Sequence, residues 1–207
     1  MHKINAFTHP YIHTLSKLKF CAENMTADMV NIRDIVPGLG KECRFAKQIR
    51  EDIFYSVAQH SMLITESIPL PDHLKIYPLM HDAAEAYVGD MPKPFKMKLP
   101  DYERLEGEIM AVICEHFGLQ WPFPDGVREL VKEYDSRILV DEAAQLFDDV
   151  PEWLQDFHAH GIRPLGLAIY PVNWDEAMER FRHSFAYYYD LFLDHKGDTE
   201  HVLFSGC

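Results

Sequence analysis

Apolar residues recur along this chain in steps of three and four, and almost nowhere in strict alternation. That is the period of an α-helix, and it confines the chain to folds that bury helical stripes against one another. The clearest stripe runs from Pro100 through Phe117, with Leu105, Ile109, Val112, Ile113 and His116 or Phe117 on one side and Gly118 as its cap. A second starts at Asp125 or Gly126 and reaches about Phe147, carrying Val127, Leu130, Val131, Tyr134 and Ile138. A third spans Asn173 to Phe192, with Phe181, Phe185, Tyr188 and Leu191 or Phe192 aligned.

Shorter segments fit between proline and glycine breaks. Asp28 to Val36 has helical spacing, and Pro37-Gly38 is expected to end it. Tyr55 to Ile68 reads as a helix stopped by Pro69-Leu70-Pro71. Asp72 is then a candidate N-cap for a helix to about Tyr87, kinked or delayed at Pro78. Gly89-Asp90-Met91-Pro92 is a turn, Trp121 to Pro124 a linker, and Pro151 a break. A weak alternation over Thr14 to Cys21 reads as a short strand. The expected class is all-α, with about six helices. The expected organisation is a single domain over residues 1–207, with a core at about 29–148 and a helical extension at 151–207.

The 207 residues carry a formal net charge of −13. A surface that acidic is a poor match for a nucleic-acid polymer or an anionic membrane. It permits a small anionic ligand only where local cations or a metal offset the repulsion. The four cysteines, Cys21, Cys43, Cys114 and Cys207, form no C-x-x-C pair, which excludes a zinc ribbon or thioredoxin motif. Scattered thiols suit a reducing compartment. With no signal-like apolar segment in Met1 to Phe20 and no membrane-length apolar run, the expected location is the cytoplasm.

Chemistry concentrates between His81 and Lys96. The apolar run Ile76 to Met80 leads directly into His81, Asp82 and Glu85, so these charges start in or beside the core. Buried charge is costly unless it is paired or bound to metal. Of the twelve histidines, His60 and His81 stand out, together with Asp82 and Asp135, because each lies on an expected helix among apolar neighbours. Imidazole nitrogen with carboxylate oxygen suits Zn, Mn, Fe, Co or Ni better than calcium. The alternative at this point is that the two aspartates cap helices or pair with Arg and Lys. The other ten histidines read as ordinary surface or core residues.

Four separated segments carry a resemblance: Tyr55-Ser56-Val57-Ala58-Gln59-His60-Ser61, His81-Asp82-Ala83-Ala84-Glu85, Gly89-Asp90-Met91-Pro92-Lys93-Pro94-Phe95-Lys96, and Lys132-Glu133-Tyr134-Asp135. In order and spacing they resemble the HD-domain phosphohydrolase superfamily, closest to its small nucleotide phosphohydrolases: the bacterial 5'-deoxynucleotidases and phage-type dATP triphosphohydrolases. The resemblance covers about Met29 to Leu146. It implies that His60, His81, Asp82 and Asp135 hold one divalent ion (Mn, Co, Zn, Fe, Ni or Mg). It implies that Glu85 and Asp90 handle protons just outside it. Arg44, Lys96 and Lys132 stand where the family places phosphate-binding side chains, with Lys93 a weaker candidate, and Phe45 where it often carries an aromatic against base or sugar. The implied activity is hydrolysis of a deoxynucleotide 5'-phosphate ester by a water that the metal activates, with a triphosphate substrate slightly favoured over a monophosphate. A non-catalytic nucleotide-binding module is the alternative. The implied partners are a nucleotide and further copies of the chain.

Overall fold

The computed structural model describes residues 10–204, with side chains to residue 197. His2, His9, His201 and Cys207 therefore lie outside the described side chains. The described residues form nine α-helices and one small sheet. The sheet pairs β1 (Ile12–His13) antiparallel with β2 (Lys19–Phe20). Only Lys19–Phe20 of the expected Thr14 to Cys21 strand is extended and paired. Thr14 to Leu18 is the hairpin turn, closed by Leu18 O accepting from Thr14 N–H and passing through Lys17 at φ 69°.

The first helix departs from expectation. α1 spans Ile32–Lys41 and runs straight through Pro37-Gly38. Asn31 starts it by accepting the Arg33 N–H, which leaves Ala27–Met29 as a separate 3₁₀ turn. Tertiary packing overrides the local break. A Cβ on Gly38 would meet Ala86 Cβ at 2.6 Å, so glycine lets the segment carrying Ala86 approach backbone to backbone. One residue on, Leu39 is fully buried.

α2 (Val57–Ser67) begins as expected, with Ser56 accepting from Gln59 N–H. The single helix expected over 72–87 is instead three pieces: a 3₁₀ turn at Asp72–Leu74, α3 (Ile76–Leu79) and α4 (Glu85–Val88). Asp72 does not cap it. The cap position is Pro71, and the Asp72 carboxylate faces Lys75 at 3.3 Å. Pro78 lies inside α3, and the chain then turns through residues 80–84 on short bonds such as Ala83 N–H to Met80 O at 3.0 Å.

α5 (Lys93–Lys96) is a single turn. α6 (Pro100–Phe117) ends at Gly118 with φ 65°, and Leu119 N–H returns to Cys114 O at 2.8 Å. α7 (Val127–Leu146) and α8 (Leu154–Ala159) follow. α9 (Trp174–Phe204) is longer than the expected 173–192. It buries Ala177, Phe181 and Phe185 in the same apolar cluster as Ile35 and Leu39 of α1, Ile76 of α3 and Ile113 of α6.

Residues 163–172 form an extended strap, bound by side chains of helices far away in sequence. Arg137 donates to the Arg163 carbonyl. Asp141 accepts from the N–H groups of Leu165, Gly166 and Leu167. Gln145 bonds Leu167 O and Ile169 N–H, and Gln59 bonds Tyr170 O and Val172 N–H. The strap thereby lies across α7 and α2, the two helices that also face the charged cluster. No helix among the described residues is long and apolar enough to cross a membrane.

Candidate metal centre

Three pieces of chain converge here. α2 supplies His60, whose ring is fully buried. The turn after α3 supplies His81 and Asp82, so these two stand on a turn and not on the expected helix. α7 supplies Asp135 and Glu142, seven residues or about two helical turns apart and hence on one face.

Both imidazoles have Nδ1 engaged. His60 Nδ1 lies 2.6 Å from Glu142 Oε1, and His81 Nδ1 lies 2.8 Å from the Pro78 carbonyl. Ionised carboxylates and carbonyls only accept, so each Nδ1–H donates, and in the neutral ring each Nε2 is a bare lone pair. His81 Nε2 is 3.1 Å and His60 Nε2 3.7 Å from the same oxygen, Asp82 Oδ2. Asp135 Oδ1 is 3.2 Å from His60 Nε2. Both Nε2 atoms are buried without an aligned hydrogen-bond partner. Two orphaned nitrogens turned on a carboxylate fit a divalent cation. His60, His81 and Asp82 each offer an atom within 4.8 Å of the others, and Asp135 stands just outside that group.

The charges reinforce this geometry. Burial works against ionised Asp82, yet His81, His60 and Arg44 hold its carboxyl well below the usual range. Burial likewise opposes ionised Asp135, but His60 and His81 hold it down. Burial and Arg44 push His60 towards the neutral form, and Glu142 and Asp135 more than offset them, holding it up at about 9. An entering metal must displace that proton.

Around this centre lie the other expected residues. Arg44 is buried, with Nη1 3.7 Å from Asp82 and Nη2 3.2 Å from Glu142. Glu85 is buried with Oε2 unpartnered; burial, then Asp82 and Asp90, push its carboxyl well above the ordinary range. Asp90 is raised for the same reasons, burial first and then Asp82, against the opposing pull of Arg44. Lys96 faces the cluster and pairs with Glu106 at 2.8 Å. Phe45 packs edge-on against Phe147 and lies under the Arg44 guanidinium, 5.4 Å from it. It opens a turn in which Phe45, Ala46 and Lys47 all have positive φ, 57°, 51° and 66°. Non-glycine residues resist that conformation by roughly 1–2 kcal/mol each. Lys132 is placed apart: it is exposed and lines an open groove of about 710 Å³ with Arg137, His160 and Arg163. Lys93 is exposed at the start of α5.

Two participants were not read from the sequence. Glu142 binds His60 and also accepts from Tyr55 O–H at 2.7 Å. Its one sequence signal is the seven-residue spacing from Asp135. Glu106, the partner of Lys96, lay on a helix read only for its apolar side.

A family model described as "HD domain" matches residues 52–163, which include all the cluster except Arg44 and Phe45. The chain is 40% identical to the uncharacterized protein YfdR of Escherichia coli K12 over 144 residues, covering 69% of this chain and 76% of that one. It is 31% identical to the uncharacterized protein RCAP_rcc00048 of Rhodobacter capsulatus over 123 residues, 56% of this chain and 63% of that one. HD domains are generally metal-dependent phosphohydrolases. With its helical fold and its His60, His81 and Asp82 cluster in place, this chain belongs to the HD-domain family.

Proposed function

We propose that this chain hydrolyses the 5'-phosphate ester of deoxynucleotides, with triphosphates as the favoured substrate and dATP among them. The observation that carries the reading is the juxtaposition of a metal-competent triad with a buried guanidinium and a buried carboxyl that its surroundings push up: His60, His81 and Asp82 beside Arg44 and Glu85.

His60, His81 and Asp82 would hold a divalent ion, which when bound would supply Lewis-acid polarisation of a phosphoryl oxygen and a more acidic water near neutral pH. The chain's own residues do the rest. Asp135 completes the ligand side from α7. Arg44 offsets the charge of the phosphoryl group while Glu142 keeps it from turning away. Burial raises both the Glu85 and the Asp90 carboxyl, which suits each to carry a proton near neutral pH. Glu85, the more strongly raised, gives its proton to the departing 5'-oxygen as the P–O bond breaks, and Asp90 takes one from the attacking water. Lys96 adds positive charge at the rim, and Phe45 offers a ring face for base or sugar.

Lys132, the remaining expected phosphate contact, lies outside the cluster. It stands three residues before Asp135 on α7 and shares its groove with Arg137 and Arg163. Glu129 and Glu133 line the same groove and Arg137 pairs with Glu133 at 3.1 Å, so the preference for a triphosphate rests on the family resemblance. The test is a panel of ribo- and deoxynucleoside mono-, di- and triphosphates with Mn, Co, Zn and Mg, reading phosphate and tripolyphosphate separately. The expected result is tripolyphosphate from deoxynucleoside triphosphates. Phosphate from monophosphates alone would reassign the substrate, and no release with any metal would overturn the proposal.

A further inference from the structure

We propose that Glu142 is a positioning residue for the metal centre, fixing His60 in the tautomer that presents Nε2 to the ion. The inference rests on the reading of His60 as a ligand and goes beyond it to the residue on the far nitrogen of its ring.

Glu142 is fully buried near the end of α7. A carboxylate in such a place is costly unless its oxygens are satisfied. One oxygen, Oε1, accepts from both His60 Nδ1 at 2.6 Å and Tyr55 O–H at 2.7 Å. The other, Oε2, faces the Arg44 guanidinium at 3.2 Å. Each partner comes from a different part of the chain: Arg44 from the loop after α1, Tyr55 from just before α2, and His60 from α2 itself. This carboxylate therefore gathers three elements around one atom pair.

The consequence lies in the imidazole. A neutral ring has one N–H, and the acceptor beside it decides which nitrogen carries it. Glu142 accepts the hydrogen bond from His60 Nδ1–H, so in the neutral ring the Nε2 lone pair points at Asp82 and Asp135. His81 receives the same treatment from the Pro78 carbonyl, which is neutral. The two ligands thus differ: His60 is backed by a charge and His81 by a dipole. A charged acceptor makes the ring a stronger donor to metal, and losing such a partner typically lowers metal affinity about 10–100-fold.

The experiment uses the full chain with zinc as the probe. Zinc affinity is measured by competition against a chromophoric chelator for wild type, Glu142→Gln and Tyr55→Phe. Imidazole nitrogens of the zinc-loaded wild type are read by long-range proton–nitrogen NMR. The expected results are a loss of about 10–100-fold in Glu142→Gln, a smaller loss in Tyr55→Phe, and His60 protonated at Nδ1 with Nε2 on zinc. Tyr55→Phe removes a bond to the same buried oxygen, so it controls for a merely structural effect. Zinc on His60 Nδ1, or affinity in Glu142→Gln within about twofold of wild type, would overturn the proposal. Should Glu142→Gln fail to fold, the wild-type NMR reading decides alone. Neither readout needs turnover, so a chain that shows this dependence yet hydrolyses no nucleotide would sink the proposed function and leave this inference standing.

Discussion

Glu85 carries the sharpest conflict between folding and function at the level of single residues. Its carboxyl is buried beside Asp82 and Asp90, so the folded chain holds its proton well above the ordinary value of 4.5. Below that ordinary value both folded and unfolded chains keep the proton and the site has no pH-dependent cost. Above it the unfolded chain releases the proton while the folded chain retains it, so stability falls as pH rises. Glu85→Gln removes the titration. Thermal unfolding in chelator is expected to show the variant more stable than wild type at pH 8 and closer to it at pH 4, with turnover reduced about 10²–10⁴-fold. Equal stability across that range would contradict the burial argument. At this scale the sequence was legible where chemistry clusters locally: His81, Asp82, Glu85 and Asp90 lie within ten positions. Glu142 was not legible, because its meaning comes from Tyr55, His60 and Arg44, which adjoin it only in space.

Among the elements, α1 shows how packing outweighs local propensity. The Pro37-Gly38 pair signals a stop, but Gly38 lies against the backbone of Ala86 in α4, the helix that begins with Glu85. In an exposed helix Gly→Ala gains roughly 0.5–1 kcal/mol. Here a Cβ would sit 2.6 Å from Ala86 Cβ and 2.7 Å from its Cα, and relieving such overpacking costs about 1–3 kcal/mol. The clash outweighs the propensity gain, so Gly38→Ala is expected to lower stability and, by shifting α4, activity. Gly107 in α6 has nothing within 4 Å of its would-be Cβ, and Gly107→Ala is expected to raise stability by roughly 0.5–1 kcal/mol. Urea unfolding of both checks the pair; a stabilised Gly38→Ala would show that the contact is not tight. α6 and α7 could be read from the sequence because each buries one long stripe. The broken path from Asp72 to Val88 could not, because the His81 ring satisfies the Pro78 carbonyl, and side-chain capping of that kind leaves no periodic trace.

Across the described residues, the segment after Pro151 is tied to the rest along α8, the strap and α9. α9 fills the main apolar cluster with Phe181 and Phe185, and the strap at 163–172 is gripped by Gln59 and Asp141. Those two residues immediately precede His60 and Glu142 in sequence, so the strap braces the helices that hold the metal centre. Its extended course was unreadable because its bonds run from backbone to distant side chains. The molecule also sets a problem that the site must solve: a net charge of −13 repels an anionic substrate. Arg44 and Lys96 are both already paired with carboxylates. Further positive charge is needed at the phosphorus, and the His60, His81 and Asp82 cluster is where a divalent ion would supply it. The most direct measurement is metal content by elemental analysis together with nucleotide turnover, for wild type, wild type stripped by chelator and then given metal back, and Asp82→Ala. One ion per wild-type chain is expected, with turnover that vanishes on stripping and returns with the ion, and an Asp82→Ala chain that keeps its helical circular dichroism but neither binds metal nor turns over. Hydrolysis at the wild-type rate by the stripped protein or by Asp82→Ala would contradict this expectation.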